Sequence, residues 1–168
     1  MVSPQGIGRG MIALAWLLVL GLLTLFFSQF LEQQNNPNAR PATMLDDQGK
    51  QWVILERNRY GHYLANGFIN GQAVLFFIDT GATNVAIPEA QAQRLGLQRG
   101  AAITVSTANG LAAAYRTRLH SVSLGSITLS DLEGSINPGM DGEEILLGMS
   151  FLRHLEFTQR GKQLMLRQ

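Results

Sequence analysis

The chain opens with one long apolar run. Residues 10–31 contain no charged side chain. A helix over Met11–Leu31 would measure about 30 Å at roughly 1.5 Å per residue, which matches the hydrocarbon thickness of a bilayer. The pattern therefore predicts one transmembrane helix at residues 11–31. A cleaved signal peptide is the alternative, but its apolar core usually has only ~7–15 residues, and no Ala-x-Ala site follows closely.

The charges beside this run predict its orientation. Arg9 precedes it, and Glu32 is the first charge after it. Because positive charge stays on the cytoplasmic side, we expect residues 1–10 in the cytoplasm. Everything from Glu32 onward then lies outside, which in a bacterium is the periplasm. The sequence thus predicts a single-pass inner-membrane protein with a periplasmic domain.

The rest of the chain divides into a polar stretch and a β-rich domain. Residues 32–50 are polar and without periodicity, which predicts a linker. Residues 51–168 contain short segments rich in Val, Ile, Leu, Phe and Thr, separated by Gly, which predict strands. The predicted strands are Trp52–Glu56, His62–Phe68, Gln72–Ile78, Ile103–Thr107, Leu111–Leu119, Ser121–Leu124, Ile127–Leu132 and Gln163–Leu166. A helix is predicted at Pro88–Leu95, and a shorter helical turn at Met149–His154.

Two Asn-Gly pairs predict tight hairpins. Both central residues of a type I′ turn need positive φ, which Asn-Gly adopts at low cost. Asn70-Gly71 and Asn109-Gly110 are therefore the strongest predicted hairpin turns.

Composition narrows the function classes. Lys and Arg total 13 against 12 Asp and Glu, a balance that argues against nucleic-acid binding. The absence of Cys excludes disulfides, thiol catalysis and Cys-ligated zinc. The three His residues share no ligand spacing, so no metal and no cofactor is expected. Gly148-Met149-Ser150 begins like a nucleophile elbow, but Leu152 replaces the second Gly and a serine hydrolase is disfavoured.

The strongest chemical signal is a carboxylate at the end of an apolar strand. Val74–Ile78 is followed at once by Asp79-Thr80-Gly81-Ala82-Thr83. Two adjacent carboxylates share one proton; the ionised one takes a proton from water while the other donates to the carbonyl under attack. Such a pair hydrolyses an amide without a covalent intermediate. Asp-Thr-Gly is also an ordinary turn tripeptide, so the motif alone leaves both interpretations open.

Several motifs together resemble the retropepsin-like aspartic proteases, most closely the bacterial membrane-anchored, single-lobe type. The resemblance extends from about Tyr63 to Leu166. The matching segments are Phe68–Gln72, Phe77–Thr83, Ser106–Gly110 and Ile145–Leu152.

This resemblance implies a mainly β fold, a single-lobe acid-protease β-barrel with one or two short helices after the transmembrane helix. It implies that Asp79 is catalytic. Thr80, Gly81 and Ala82 continue its loop, and Thr83 takes the position whose hydroxyl hydrogen-bonds the carboxylate. In the family an apolar-apolar-Gly element packs against this loop, and a flap closes over the bound peptide. These correspond to Leu146-Leu147-Gly148 and to Ala108-Asn109-Gly110.

The count of motifs predicts the stoichiometry. Water activation of this kind needs two carboxylates, whereas Asp79 lies in the one Asp-Thr-Gly of the sequence. A twofold homodimer would bring Asp79 to its own copy. We therefore expect a membrane-anchored aspartic endopeptidase, active as a homodimer on polypeptides. The alternatives are a non-catalytic binding or assembly domain of the same fold at the membrane and a tethered hydrolase of another type.

Overall fold

The computed structural model describes residues 4–47, 49–107 and 110–168. It begins with helix α1, Pro4–Asn35. Within the described residues, one helix is long and apolar enough to cross a membrane, Gly10–Asn35, and none of its apolar segment is buried against the rest of the chain. By length and composition alone, the same helix also fits a signal sequence.

The domain that follows is mainly β. Its first elements are β1 Ala42–Leu45, β2 Gln51–Glu56, β3 Leu64–Ile69, β4 Gln72–Ile78, β5 Val85–Pro88 and helix α2 Glu89–Arg94. They are followed by β6 Ala102–Thr107, β7 Gly110–Leu124, β8 Ile127–Asn137, β9 Glu144–Leu147, helix α3 Met149–Leu152, β10 Glu156–Arg160 and β11 Gln163–Arg167.

Seven strands form the larger sheet, in the order β3-β4-β9-β5-β8-β7-β6. A further pairing of β3 with β7 closes it into a barrel. At this closure a Cβ on Gly67 would lie 2.4 Å from the Ser123 carbonyl and 2.5 Å from the Phe76 ring, so the close approach requires glycine. The smaller sheet is antiparallel, in the order β1-β2-β11-β10.

The barrel encloses the apolar core. Fully buried side chains from strands of both sheets meet there, and α3 closes one side with Phe151 and Leu152. The strand contributions include Leu55, Ile69, Phe76, Ile87, Leu119 and Leu147. The predicted mainly β fold with two short helices is confirmed.

The hairpin at Asn70-Gly71 has the geometry that its sequence predicts, with φ of 51° and 78° at the two residues. The second predicted turn includes Ala108 and Asn109, which lie outside the described residues. Other boundaries differ. Residues 110–124 form one strand, although the sequence predicted two. Strands β1, β5, β9 and β10 were not among those predicted.

The segment 32–50 is not an unstructured linker, because part of it belongs to the folded domain. Asn38 is buried, and its amide donates to the carbonyls of Glu56 (2.9 Å) and Leu64 (2.6 Å) while accepting from Glu56 N (2.6 Å). Residues 42–45 form β1 along the edge of β2. The polar sequence that suggested a linker instead supplies side chains that satisfy backbone groups of neighbouring strands.

Candidate active site

Asp79 stands where β4 leaves the sheet, half-buried at the mouth of a cleft. Its backbone N–H donates to the Leu147 carbonyl (3.2 Å), which ties the start of the loop to β9. One carboxylate oxygen accepts a hydrogen bond from Gly81 N at 2.8 Å. The loop thereby holds the carboxylate in a fixed direction, as a general acid or base requires.

The loop packs directly against the Leu146-Leu147-Gly148 element. A Cβ on Gly148 would lie 2.3 Å from the Asn84 carbonyl and 2.5 Å from the Ala82 carbonyl, distances that no side chain tolerates. Met149 N then donates to Ala82 O at 2.8 Å. The contact inferred from the family resemblance is therefore present, and glycine is needed because two backbone segments touch.

Thr80 and Thr83 are exposed in the single chain. Within the described residues, the Asp79 carboxylate accepts from Gly81 rather than from the Thr83 hydroxyl. Thr83 contributes its carbonyl instead, which accepts from Ser150 N at 2.9 Å. Its side chain borders the same cleft as Asp79.

Ser150 is a supporting residue that sequence reasoning missed. It is buried, and its hydroxyl accepts from Val85 N (3.0 Å) and donates to the Glu133 carbonyl (2.9 Å). It thus joins β5, β8 and α3 behind the catalytic loop. In the sequence, Ser150 was considered only as a nucleophile, and that role was disfavoured. Its hydrogen-bond partners are 65 and 17 residues away, so no local pattern reveals them.

The cleft beside Asp79 has a volume of about 970 Å³. Its apolar side chains are Ala86, Ile103, Val105 and Leu146, and its polar ones include Arg116, Glu133, Ser135 and Asn137. Arg116 Nη1 lies 3.5 Å from Glu133 Oε1. Among the described residues, Asn137 Oδ1 is buried without a hydrogen-bond partner. The cleft is therefore lined by both apolar and polar or charged side chains.

Strand β6 forms the wall opposite the catalytic loop, with Ile103–Thr107 lining the cleft. It pairs with β7 from Ala102↔Tyr115 to Thr107↔Gly110. Of the predicted flap residues, Gly110 begins β7 with φ of 108°, whereas Ala108 and Asn109 lie outside the described residues. The described part of this hairpin is thus positioned beside Asp79.

A second groove, of about 610 Å³, lies on the other side of the Asp79-Thr80 turn. Its apolar side chains include Tyr63, Phe77, Leu152, Phe157 and Leu164. Phe157 is 47% exposed, and Tyr63 Oη is buried without a hydrogen-bond partner among the described residues. This face adjoins the catalytic turn and is largely apolar.

An exposed ion pair joins β7 to β8. The Arg118 guanidinium donates to both oxygens of Asp131. This hydrogen bonding lowers the pKa of the Asp131 carboxyl from its ordinary 3.8 and raises that of Arg118. Asp131 has φ of 61°, a left-handed conformation that is uncommon for a residue other than glycine.

A closed β-barrel that holds the Asp79-Thr80-Gly81 loop against Leu146-Leu147-Gly148 is the arrangement that the resemblance to aspartic proteases implies. Within the described ranges, no group of three or more His, Asp and Glu residues is placed to hold a metal ion.

Comparison with known proteins gives the family. The family model described as "gag-polyprotein putative aspartyl protease" matches residues 65–154. An uncharacterized protein from the cobV 5′ region of a Sinorhizobium species is 32% identical over 169 residues, covering 94% of this chain and 72% of that relative. An uncharacterized protein of Rickettsia prowazekii is 31% identical over 118 residues, covering 68% of this chain and 50% of that relative.

A solved structure agrees with these sequence matches. The crystal structure of a retropepsin-like aspartic protease from Rickettsia conorii superposes with a TM-score of 0.57 at 29% identity, covering 76% of this chain and 94% of that one. This chain belongs to the retropepsin-like family of aspartic proteases.

Proposed function

We propose that this protein is a membrane-anchored aspartic endopeptidase whose active site forms between two copies of the chain. The observation that carries the proposal is the Asp79 carboxylate, fixed by Gly81 N at 2.8 Å and facing a cleft of about 970 Å³. In the dimer one Asp79 carboxylate takes a proton from the attacking water. The other, protonated, donates to the carbonyl oxygen of the peptide bond.

The surface beside the catalytic turn has features that favour contact with a second copy of the chain. Thr80 is exposed, and the groove next to it carries Phe77 and the half-exposed Phe157. Apolar groups of this kind gain from being covered. A twofold axis near Thr80 would pair the two turns, cover both grooves and place both Asp79 carboxylates at one cleft. An extended substrate then lies along β6 as an added strand.

We infer that helix α1 anchors the protein in the membrane. Its apolar segment is exposed along its length and is as long as a bilayer core. With the amino terminus in the cytoplasm the protease domain is periplasmic, and its substrates are exported or membrane-attached proteins. Alkaline extraction of membranes and protease protection of the full chain test the anchor and its orientation.

The catalytic proposal is tested with Asp79→Asn, measured on the full chain in detergent with a mixed peptide library. We expect cleavage to fall by at least about 10³-fold, because the amide can neither take nor share the proton. The control is Asp131→Asn, which removes an exposed carboxylate outside the cleft. Cleavage that survives in Asp79→Asn would exclude this mechanism.

The shared site is tested by co-expressing the wild-type chain with an equal amount of Asp79→Asn. Random pairing leaves about one quarter of the wild-type activity per total chain, because only wild-type homodimers keep both carboxylates. A monomeric enzyme would keep about one half. The latter result would overturn the dimer while leaving Asp79 as the catalytic residue.

A further inference from the structure

The end of α1 is fixed to the protease domain by side-chain hydrogen bonds. Asn58 Nδ2 donates to the carbonyl of Asn35, the last residue of the helix, at 3.0 Å. One residue later, Asn36 Nδ2 donates to Asn66 Oδ1 at 2.9 Å. Together with the buried Asn38, these contacts hold the end of the helix against the domain. The turn that carries Asn58 consequently lies against the helix end.

Four basic residues surround this junction. Arg57 and Arg59 flank Asn58, and Arg57 N donates to the Lys162 carbonyl at 2.8 Å, which brings the β10–β11 turn alongside. We call Arg57, Arg59, Arg160 and Lys162 the basic cluster. All four side chains are exposed. Within the described residues none of them forms an ion pair, unlike the arginines at 99, 116, 118 and 167.

The cluster carries a net positive charge and an exposed aromatic ring. The nearest acids in sequence and pairing are Glu32 on the helix and Glu56 on β2, which leaves four cations against two anions. Tyr60 is 61% exposed, and the Arg59 guanidinium lies 4.6 Å from the centre of its ring. Exposed Tyr and Arg together are typical of the boundary between a membrane and water.

The height of the junction above the membrane follows from helix geometry. The apolar run ends at Leu31, and four further helical residues raise Asn35 by only about 6 Å. A headgroup layer is about 5–8 Å thick, and charges act through roughly 8 Å of physiological salt solution. A domain fixed to Asn35 thus holds the basic cluster within reach of the headgroups.

We propose that the basic cluster binds anionic phospholipid headgroups and seats the protease domain on the bilayer. This inference rests on the proposed membrane span of α1.

The seated position also limits which substrates reach the active site. Asn38 pairs with Ala65, Ala65 pairs with Phe76, and Asp79 lies three residues further on. At about 5 Å between strands and 3.3 Å per residue, Asp79 is within about 20 Å of Asn38. A seated domain would therefore keep Asp79 near the bilayer, where it can reach polypeptide segments that run close to the membrane surface.

The test uses the full chain in nanodiscs and a single label. The chain has no Cys, so Tyr60→Cys takes up one environment-sensitive fluorophore; Leu111→Cys, on the β6–β7 hairpin, is the reference position. Nanodiscs contain phosphatidylcholine alone or with phosphatidylglycerol, and a nitroxide on the lipid headgroup quenches nearby labels. We expect strong quenching at residue 60 with phosphatidylglycerol, little quenching with phosphatidylcholine alone, and little at residue 111.

Neutralising the cluster should remove the quenching. Each cation near an anionic surface changes the ratio of seated to free domain by about fivefold. The chain with the cluster replaced by Gln should accordingly lose most of the signal, whereas a control with four other cations neutralised keeps it. The control substitutions are Arg94→Gln, Arg99→Gln, Arg118→Gln and Arg153→Gln.

Two results would overturn the inference: equal quenching at residues 60 and 111, or quenching at residue 60 that survives neutralisation of the cluster. Alkaline extraction of the same samples separates this failure from that of the anchor. A chain that is released has no membrane span, and the inference falls with it. A chain that stays integrated while residue 60 remains unquenched contradicts the lipid surface alone.

Discussion

The two walls of the cleft are built in opposite ways. The catalytic loop is held from behind by backbone hydrogen bonds from Met149 and Ser150, and its carbonyls touch Gly148. Strand β6, the facing wall, is the edge strand of its sheet and is held by β7 alone. Its side chains are exposed or half-exposed along its length.

The difference matches two requirements of peptide hydrolysis. Proton transfer needs groups whose direction is fixed before the substrate arrives, because reorientation during reaction costs free energy. Binding an extended chain instead requires a wall that can move aside and return. A structure with one buried wall and one edge wall satisfies both, and substitutions in the two walls should therefore have different consequences.

Gly148→Ala should have the largest effect, because the added methyl group meets backbone atoms at 2.3 and 2.5 Å. We expect a loss of about 3 kcal/mol in the free energy of unfolding, measured by urea denaturation, together with loss of activity. The control is Gly139→Ala, since no atom lies within 4 Å of its added Cβ. It should change the free energy of unfolding by less than about 1 kcal/mol. Equal stability of the two variants would contradict the tight packing behind the loop.

Ser150→Ala should have the next largest effect. It removes the acceptor of the buried Val85 N–H and the donor to the part-buried Glu133 carbonyl, so that each group loses this partner. We expect a loss of about 2 kcal/mol in the free energy of unfolding. The matched control is Ser130→Ala, at an exposed position of β8. It should change the free energy of unfolding by less than about 0.5 kcal/mol. Equal free energies of unfolding for the two variants would mean that the hydrogen bonds of Ser150 do not stabilise the fold.

Ser150 also illustrates which features a sequence reveals. The apolar helix, the Asn70-Gly71 turn and the end of β4 at Asp79 are each encoded by consecutive residues, so pattern and turn chemistry predict them. Gly148 was assigned through the family resemblance. The role of Ser150 depends on residues brought close only by the closed barrel, and no spacing along the chain encodes it.

The strands that were missed have the same explanation. All residues of β1 and β10 are exposed, so neither strand shows the alternation of buried and exposed positions by which strands are predicted. They are strands because β2 and β11 offer hydrogen-bonding edges. The three asparagines at residues 36, 38 and 58 likewise suggest a linker or turn, yet they join the helix to the domain.

The facing wall is tested with Leu111→Ser. Leu111 is 80% exposed at the start of β7, so the free energy of unfolding should change by less than about 0.5 kcal/mol. If the hairpin closes over the substrate, the lost apolar contact should raise KM by about tenfold. Leu45→Ser, at a 69% exposed position of β1, should change neither quantity. An unchanged KM for Leu111→Ser would remove this part of the hairpin from substrate binding.

The smallest effect is expected at the exposed ion pair between Arg118 of β7 and Asp131 of β8. Because the folded state lowers the pKa of Asp131 below 3.8, the ionised carboxylate stabilises the fold at neutral pH. That stabilisation is lost as the pH falls through the lowered pKa, when Asp131 takes up a proton. Asp131→Asn should accordingly unfold slightly more easily than the wild type at about pH 7, and the difference should shrink as the pH falls below 3.8.

The replacement isolates charge from backbone strain, because Asn tolerates the left-handed φ of 61° as well as Asp does. Asp141→Asn, which loses an exposed carboxylate without an ion pair among the described residues, is the matched control and should show no such pH dependence. A deficit in Asp131→Asn that does not shrink as the pH falls below 3.8 would assign the effect to hydrogen bonding rather than to charge. Either way the change should stay far below that of Gly148→Ala, because a solvent-exposed ion pair stabilises less than the backbone contact behind the catalytic loop.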